Sequence, residues 1–286
     1  MSVDLVSIVL RALGFIALFE AAGAVLFVAI FNDLLGHSAT AIRHTARNSA
    51  WTAVVLIVLY QLLGAARMTG EYAGLADWSM HVLSFSSNIG VANEIRILGL
   101  WLIAFVAMRT GAGAMLAQVT AACVVVMSFL ITGHTASNPQ RWLLAPLLLL
   151  HLWVVAFWFG SLWSLLQVSS REAGPVAAAL VARFSAIAIW LVPGIAVAGV
   201  VMALVLLPDV SALFTPYGLL LLAKVAGFVL LMGLAALNKW RLGPAIAAGE
   251  RGAMHAFQRS VWLEIALMCA VLIATTIMTG FFSPET

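Results

Sequence analysis

The feature that most constrains this chain is a series of apolar runs, each about long enough to cross a lipid bilayer. Such runs of roughly 20 residues recur along the whole sequence, in which 64% of the 286 residues are apolar and only 9% are charged. A soluble domain carries about 25% charged residues. Because lipid offers the backbone no hydrogen-bond partner, each run must be a helix rather than irregular chain. The runs are continuous, whereas a membrane β-barrel shows shorter alternating segments. The sequence therefore predicts an all-α, polytopic membrane protein.

Eight spans fit the pattern and form one predicted transmembrane domain over residues 1–286. They are predicted at residues 3–31, 48–68, 90–109, 112–134, 139–167, 177–207, 216–240 and 256–282. Pro139 and Pro216 are expected in the first turns of the fifth and seventh helices, and Pro193 predicts a kink in the sixth. Residues 71–88 are expected to form a short helix or re-entrant segment at the outer surface.

The positively charged residues divide unequally between the two sides of this bundle. The connections 1–2, 3–4, 5–6 and 7–8, with the adjoining helix ends, hold nine of them: Arg43, Arg47, Arg109, Arg171, Arg183, Lys239, Arg241, Arg251 and Arg259. The opposite side holds only Arg67, Arg96 and Arg141. Short basic loops stay in the cytoplasm. We therefore expect an eight-helix bundle with both termini in the periplasm.

Two histidines flank the short connection between the fourth and fifth helices. His151 follows Arg141 by about ten residues, which places it roughly 15 Å into the bilayer at a rise of 1.5 Å per residue. His134 lies at the outer end of the fourth helix. Polar side chains at membrane depth are costly and often functional. The two imidazoles are expected at different depths, so they suggest two levels of a path more than one shared site.

Sulfur-containing residues fall at matching levels. Met127 lies seven residues below His134 on the predicted helix, level with His151, and Cys123 lies one turn further down. Met80 and His81 belong to the predicted surface segment. Imidazole, thioether and thiol groups together suit a soft ion, with copper(I) as the first candidate. Core packing remains an alternative for Met127 and Cys123, because both residue types pack as apolar groups.

Other charged residues are embedded in the predicted spans. Arg11 and Lys224 are expected to form structural ion pairs or buried hydrogen bonds, and Arg96 is a further candidate for such a pair. Glu20 and Glu264 are candidates for groups that relay a proton or a cation. The sequence contains none of the common hydrolase, zinc-protease or nucleotide-binding motifs, so no enzyme is predicted.

The segments around these residues resemble a known family. GHTASNPQRWLLAPLLLLHLWVVAFWFGSLWSL, FTPYGLLLLAKVAGFVLLMGLAALNKWRLGPAI, LRALGFIALFEAAGAVLF and SNIGVANEIRILGLW are similar, in order, to regions of the bacterial CopD/PcoD copper-resistance proteins. The resemblance is strongest over residues 133–244. It implies an eight-helix inner-membrane protein that handles copper, with a periplasmic copper carrier of the CopC type as partner. In the matched motifs the family's histidines correspond to His134 and His151.

The expected function is therefore copper transport or handling, in copper resistance or acquisition, across the bacterial inner membrane. Copper would be captured at the periplasmic face near His134 and His81 and passed to His151. Two alternatives remain open. One is a redox protein with a b-type haem, for which His81 and His151 could face each other. The other is a membrane scaffold or assembly factor that holds copper without moving it.

Overall fold

The computed structural model describes residues 2–283, in which the secondary structure is helical. The helices are α1 (Val3–Phe31), α2 (Ala39–Leu62), α3 (Gly64–Thr69), α4 (Trp78–Ser86), α5 (Asn88–Val106), α6 (Ala112–Met127), α7 (His134–Ser137), α8 (Arg141–Arg171), α9 (Gly174–Leu206), α10 (Pro216–Leu237), α11 (Gly243–Ala247) and α12 (Ala253–Phe281). Eight helical stretches in the described range are long and apolar enough to span a membrane. The predicted fold class, an eight-helix membrane protein, is confirmed.

Some predicted helix ends were wrong, for local reasons. The second span starts at Ala39 instead of residue 48, so its first turns are polar and carry Arg43 and Arg47. The fifth starts at Arg141, because the Asn138 side chain accepts a 2.8 Å hydrogen bond from the Gln140 amide and holds a turn there. The predicted start at Pro216 is correct, and the Thr215 hydroxyl caps it by accepting from the Gly218 amide at 3.3 Å.

Helix α1 is the centre of the bundle and packs against α2, α5, α6, α8 and α12. It approaches α8 closely where Gly23 meets Gly160. A Cβ added at either glycine would overlap backbone atoms of the other helix. Small residues let membrane helices approach closely and gain packing where lipid supplies no hydrophobic driving force. This contact fixes the relative depth of α1 and α8.

Helices α9 and α10 lie at the edge of the bundle. Only 11% of the most apolar stretch of each is buried inside the protein, against 72% for α1. Helix α9 packs on α8 and α11, and α10 packs on α12. Their outward faces carry large apolar side chains such as Trp190, Val197 and Leu204, which suits contact with lipid tails.

Eight spans place both chain ends on one side of the membrane, which we call the terminal side; the other is the loop side. On the terminal side, residues 71–88 contain a 3₁₀ turn (Tyr72–Ala76) followed by α4. Asp77 caps α4, because its carboxylate accepts hydrogen bonds from the Ser79 and Met80 amides.

On the loop side, Glu172 joins the connection between α1 and α2 to the end of α8. Its carboxylate accepts hydrogen bonds from the Gly36 amide at 3.0 Å and from the Ser38 amide at 2.8 Å, and one from the Ser38 hydroxyl. Partial burial raises the pKa of Glu172, but the hydrogen bonds, chiefly from Ser38, outweigh it and hold the pKa below its ordinary value. The ionised carboxylate therefore holds the α1–α2 connection against the end of α8.

Candidate metal path

His134 lies on the terminal side, where three elements meet. After α6 the chain forms a 3₁₀ turn over Ser128–Ile131, and Gly133 adopts a positive φ of 87° that reverses the direction of the chain. His134 then opens α7. Its Nε2 lies 3.3 Å from the carbonyl oxygen of Phe282, and its ring meets that of Tyr217 edge-on at 6.1 Å. The imidazole is therefore fixed between the ends of α10 and α12.

His151 lies deeper, in α8, roughly 15 Å below the start of that helix at 1.5 Å per residue. Its Nδ1 is buried and has no hydrogen-bond partner among residues 2–283. A buried imidazole nitrogen without a partner is uncommon, and a neutral imidazole nitrogen is the lone-pair donor that binds metal ions. His134 opens α7 and His151 lies within α8, and the expectation that they form two levels of one path stays a prediction.

The sulfur residues predicted beside the histidines are placed differently. Met127 and His134 do not share a helical face, because the α-helix ends at Met127 and the chain is extended at Thr132. The Met127 side chain is 53% exposed. Cys123, one turn earlier, is a half-buried free thiol. The reasoning that placed Met127 level with His151 on the His134 face was therefore wrong.

Met80 and His81 lie on α4 at the terminal-side surface, where both are half-buried. The His81 Nε2 is already 3.0 Å from the carbonyl oxygen of Leu75, within its own segment. Its ring also lies beside that of Trp78. Across the described part of the chain, no three His, Cys, Asp or Glu side chains gather closely enough to hold one ion. The candidate ligands are distributed along the bundle and do not form a cluster.

Glu264 is the most deeply buried acid of the bundle, with 2% of its surface exposed. One carboxylate oxygen accepts a 2.5 Å hydrogen bond from the Asn238 amide, and the other accepts one of 3.4 Å from the Trp158 indole. Asn238 begins a π-helical turn, Asn238–Leu242, that continues α10. Such turns are rare and frequent at functional sites. The Oδ1 of Asn238 is buried without a partner in the described structure.

Glu20 and Cys269 are two further polar groups of the spanning helices. The Oε1 of Glu20, on α1, is buried with no hydrogen-bond partner among the described residues. Cys269, on α12, is a half-buried free thiol. Glu20, Trp158 and Glu264 each lie about five turns, roughly 25 Å, from the terminal-side end of their helices. They are therefore at similar depth, about 10 Å beyond His151.

The column is the name we give to the set of His151, Cys269, Glu20, Glu264 and Asn238. Its members come from α1, α8, α10 and α12, and three of them have a buried acceptor atom without a partner. Burying a polar group without a hydrogen bond costs several kcal/mol. A column of imidazole, thiol and carboxylate groups can offer successive lone pairs to a cation.

The embedded cations do not form ion pairs. Arg11 donates to the Thr276 carbonyl at 3.4 Å and to the Thr279 hydroxyl at 3.1 Å. Lys224 and Arg96 likewise have no carboxylate within 4.0 Å inside the described range, where Arg183–Asp33 is the ion pair that the structure contains. The expected counter-ions for Arg11 and Lys224 are absent there, and only Arg11's hydrogen bonds match the expectation.

Sequence reasoning missed three members of this arrangement. Asn238 belongs to a recognised sequence element, but nothing in a regular helical pattern predicts the π turn that aims it at Glu264. Trp158 is one of four tryptophans on α8, and nothing in that pattern singles it out. Cys269 follows Glu264 by five residues on α12, which is about 140° around the helix, so the spacing gives no signal that would have found it.

Comparison with known proteins gives matches over most of the chain. The family model described as "Copper resistance protein D-like, N-terminal domain" matches residues 1–142, and "Copper resistance protein D" matches residues 178–278. A curated Copper resistance protein D from Pseudomonas syringae pv. tomato is 34% identical over 168 residues, covering 54% of each chain. The chain thus spans about half the length of this curated relative. No solved structure matches.

The matched ranges divide the candidate residues. His134 and Glu20 fall within the first range, and Asn238, Glu264 and Cys269 within the second. Residues 143–177, which carry His151 and Trp158, lie between the two ranges. The candidate residues thus include positions inside and outside the family models.

Proposed function

This chain belongs to the copper resistance protein D family of multi-pass bacterial inner-membrane proteins, and from that premise we propose that it conducts copper along the column. A copper-related function is common to the family. The proposal also specifies the route that copper takes. Copper is captured at His134 on the terminal side, passes to His151, and continues through Cys269 and Glu20 to Glu264.

The observation that carries this proposal is the set of buried acceptors without partners. Nδ1 of His151, Oε1 of Glu20 and Oδ1 of Asn238 all lack a hydrogen bond among the described residues. More than 90% of buried polar groups find partners in ordinary proteins. Buried atoms of Arg43, Gln167 and Ser260, nearer the loop side, also lack partners; the three that belong to the column are explained when their lone pairs serve a cation in passage.

The residue types favour copper(I). His151 supplies an imidazole nitrogen and Cys269 a thiol, both of which suit soft metals, whereas magnesium and calcium prefer all-oxygen sites. Single ligands at separate depths hold an ion weakly enough to release it. Multi-site binding of this kind is what conduction requires. A clamp of three or four ligands would retain the ion instead.

Orientation follows from the distribution of basic residues. The loop side is rich in arginine, and short basic loops stay in the cytoplasm. The terminal side is therefore proposed to face the periplasm, with His134 at the mouth. A periplasmic copper carrier of the CopC type is the proposed donor or acceptor there, and His134, Tyr217 and Phe282 would lie nearest to it.

Copper(I) binding to the purified protein tests the assignment. We expect His134→Ala and His151→Ala each to weaken binding about tenfold, a change of about 1.4 kcal/mol. His255→Ala removes an exposed histidine at the loop side and is the matched control, with unchanged binding. If both variants bind copper(I) as the unaltered chain does, the proposed route is wrong.

A further inference from the structure

A cavity of about 220 Å³ opens at the terminal side, between the first turns of α1, the end of α2 with α3, α4, and the last turns of α12. This volume is several times the ~30 Å³ that a water molecule occupies in the liquid. The column lies elsewhere, in the core, and none of its members lines this cavity. The cavity is therefore a separate feature of the molecule.

Positive charge dominates the walls. Arg11 and Arg67 line the cavity, and the single acid in its lining is the exposed Asp4. Neither arginine has a carboxylate within 4.0 Å in the part of the chain that the structure describes. The guanidinium of Arg67 lies 4.6 Å from the centre of the Tyr60 ring. It makes no hydrogen bond to another described residue, so its five N–H donors remain available.

A third arginine stands behind the wall. Arg96 is 5% exposed and donates to the side-chain oxygen Oδ1 of Asn93 at 2.8 Å. The Asn93 amide donates to Gln61 at 2.7 Å, and the Gln61 amide donates to the Ser84 carbonyl at 3.2 Å. Gln61 and Ser84 line the cavity. A chain of hydrogen bonds thus links a buried guanidinium to the cavity wall, with no acid along it.

Such a concentration of cations is costly near a bilayer unless an anion offsets it. The paired N–H donors of an arginine guanidinium match the geometry of phosphate oxygens. The cavity also lies at the ends of α1 and α12, the level at which the polar headgroup region borders the hydrocarbon core. Lipid phosphates occur at that level.

From these observations we propose that the cavity bounded by Arg11, Arg67, Gln61 and Ser84 is a binding site for a phosphate-type oxyanion. The phosphate is that of an anionic lipid headgroup or a free ion. Arg11 and Arg67 contact the oxyanion, while Arg96 adds positive charge from behind. This site does not rest on the proposed copper route.

Native mass spectrometry of the purified full chain tests the lipid source. The probes are phosphatidylglycerol and a glucosyl diacylglycerol with the same acyl chains and no phosphate. We expect phosphatidylglycerol to bind about tenfold more tightly, and Arg67→Gln or Arg11→Gln to remove that preference. Arg141→Gln, an exposed arginine on the same side, is the matched control and should keep it. The Arg67 guanidinium makes no hydrogen bond to a described residue, so the Arg67 variant should fold even if the Arg11 variant does not.

Thermal unfolding in lipid-free detergent tests the free-ion source. Potassium phosphate is compared with potassium chloride at equal ionic strength. A phosphate-specific rise of the midpoint that Arg67→Gln abolishes supports a free oxyanion, and a lipid preference that it abolishes supports a headgroup. Equal binding of both lipids together with no phosphate-specific rise would overturn the proposal. So would an Arg141→Gln variant that loses as much as Arg67→Gln.

Discussion

The cavity and the column are two polar regions of one apolar bundle, and their chemistry is opposite. The cavity has guanidinium donors without a paired acid, and it lies at the membrane surface. The column has imidazole, carboxylate and amide acceptors without donors, and it lies in the core. The first attracts anions and the second attracts cations. A bundle that only needed internal stability would have paired such groups with one another.

The two regions also differ in how a buried charged group is satisfied in each. Arg96 donates to three polar side chains, Asn93, Ser128 and Thr132, and lies 4.2 Å from the Phe129 ring centre. Glu20 keeps an oxygen with no partner in the described chain. This contrast suggests that Arg96 stabilises the fold, whereas Glu20 is retained for function at some cost in stability.

The largest expected effect comes from Arg96. Arg96→Met removes three hydrogen bonds of a charged group and leaves Asn93 and Ser128 buried with fewer partners. We expect a loss of about 3 kcal/mol, seen as a lower thermal midpoint in detergent. Arg109→Met, an exposed arginine near the other end of α5, should leave the midpoint unchanged. If the two variants behave alike, Arg96 has no special structural role.

The opposite outcome is expected for Glu20. Glu20→Gln removes the charge from an oxygen that has no hydrogen bond to lose, so the free energy of unfolding should change by less than about 1 kcal/mol. Copper(I) affinity should nevertheless fall several-fold, which a competition titration with a chromogenic chelator measures. A variant that loses stability but binds copper(I) normally would place Glu20 among the structural groups and break the comparison.

An effect that depends on pH is expected at Glu172, which belongs to neither region. Because its pKa is held below the ordinary value of ~4.3, its contribution is present above that pH and is lost as the pH falls through the lowered pKa. Glu172→Gln should cost about 1 kcal/mol at pH 7 and nothing at lower pH, where both side chains are neutral. Thermal midpoints measured between pH 7 and pH 3 test this. A difference that stays constant over that range would contradict the role of the ionised carboxylate.

How far the sequence predicted the fold depends on the kind of signal. Apolar runs predict membrane helices well, because their lengths are set by the bilayer, and α1 agreed at both ends. Polar helical turns outside the bilayer give no such signal, which is why the start of α2 at Ala39 was missed. The Asn138 turn was misread because an Asn-Pro pair is compatible with both a helix cap and a turn.

A count of residues along the helices predicts the depth of each candidate residue, but local patterns do not predict which residues gather there. Counting residues along a helix placed His151 below His134, because the helical rise is constant. It did not show that the helix breaks after Met127, since a 3₁₀ turn and a glycine with positive φ leave little trace in an apolar run. The partnership of Glu264 with Asn238 and Trp158 depends on how three distant helices pack, which no local pattern contains.

Copper(I) flux into proteoliposomes tests the central claim most directly, namely that the column conducts. Glu264→Gln should preserve the fold, because the Asn238 amide can rotate and present its free oxygen to the new side chain. We expect the unaltered chain to conduct copper(I), and His151→Ala and Glu264→Gln to slow the flux at least about tenfold (~1.4 kcal/mol). Glu94→Gln, an exposed acid on α5, should have no effect. Binding without flux in the unaltered chain, or equal flux in all four proteins, would contradict the account.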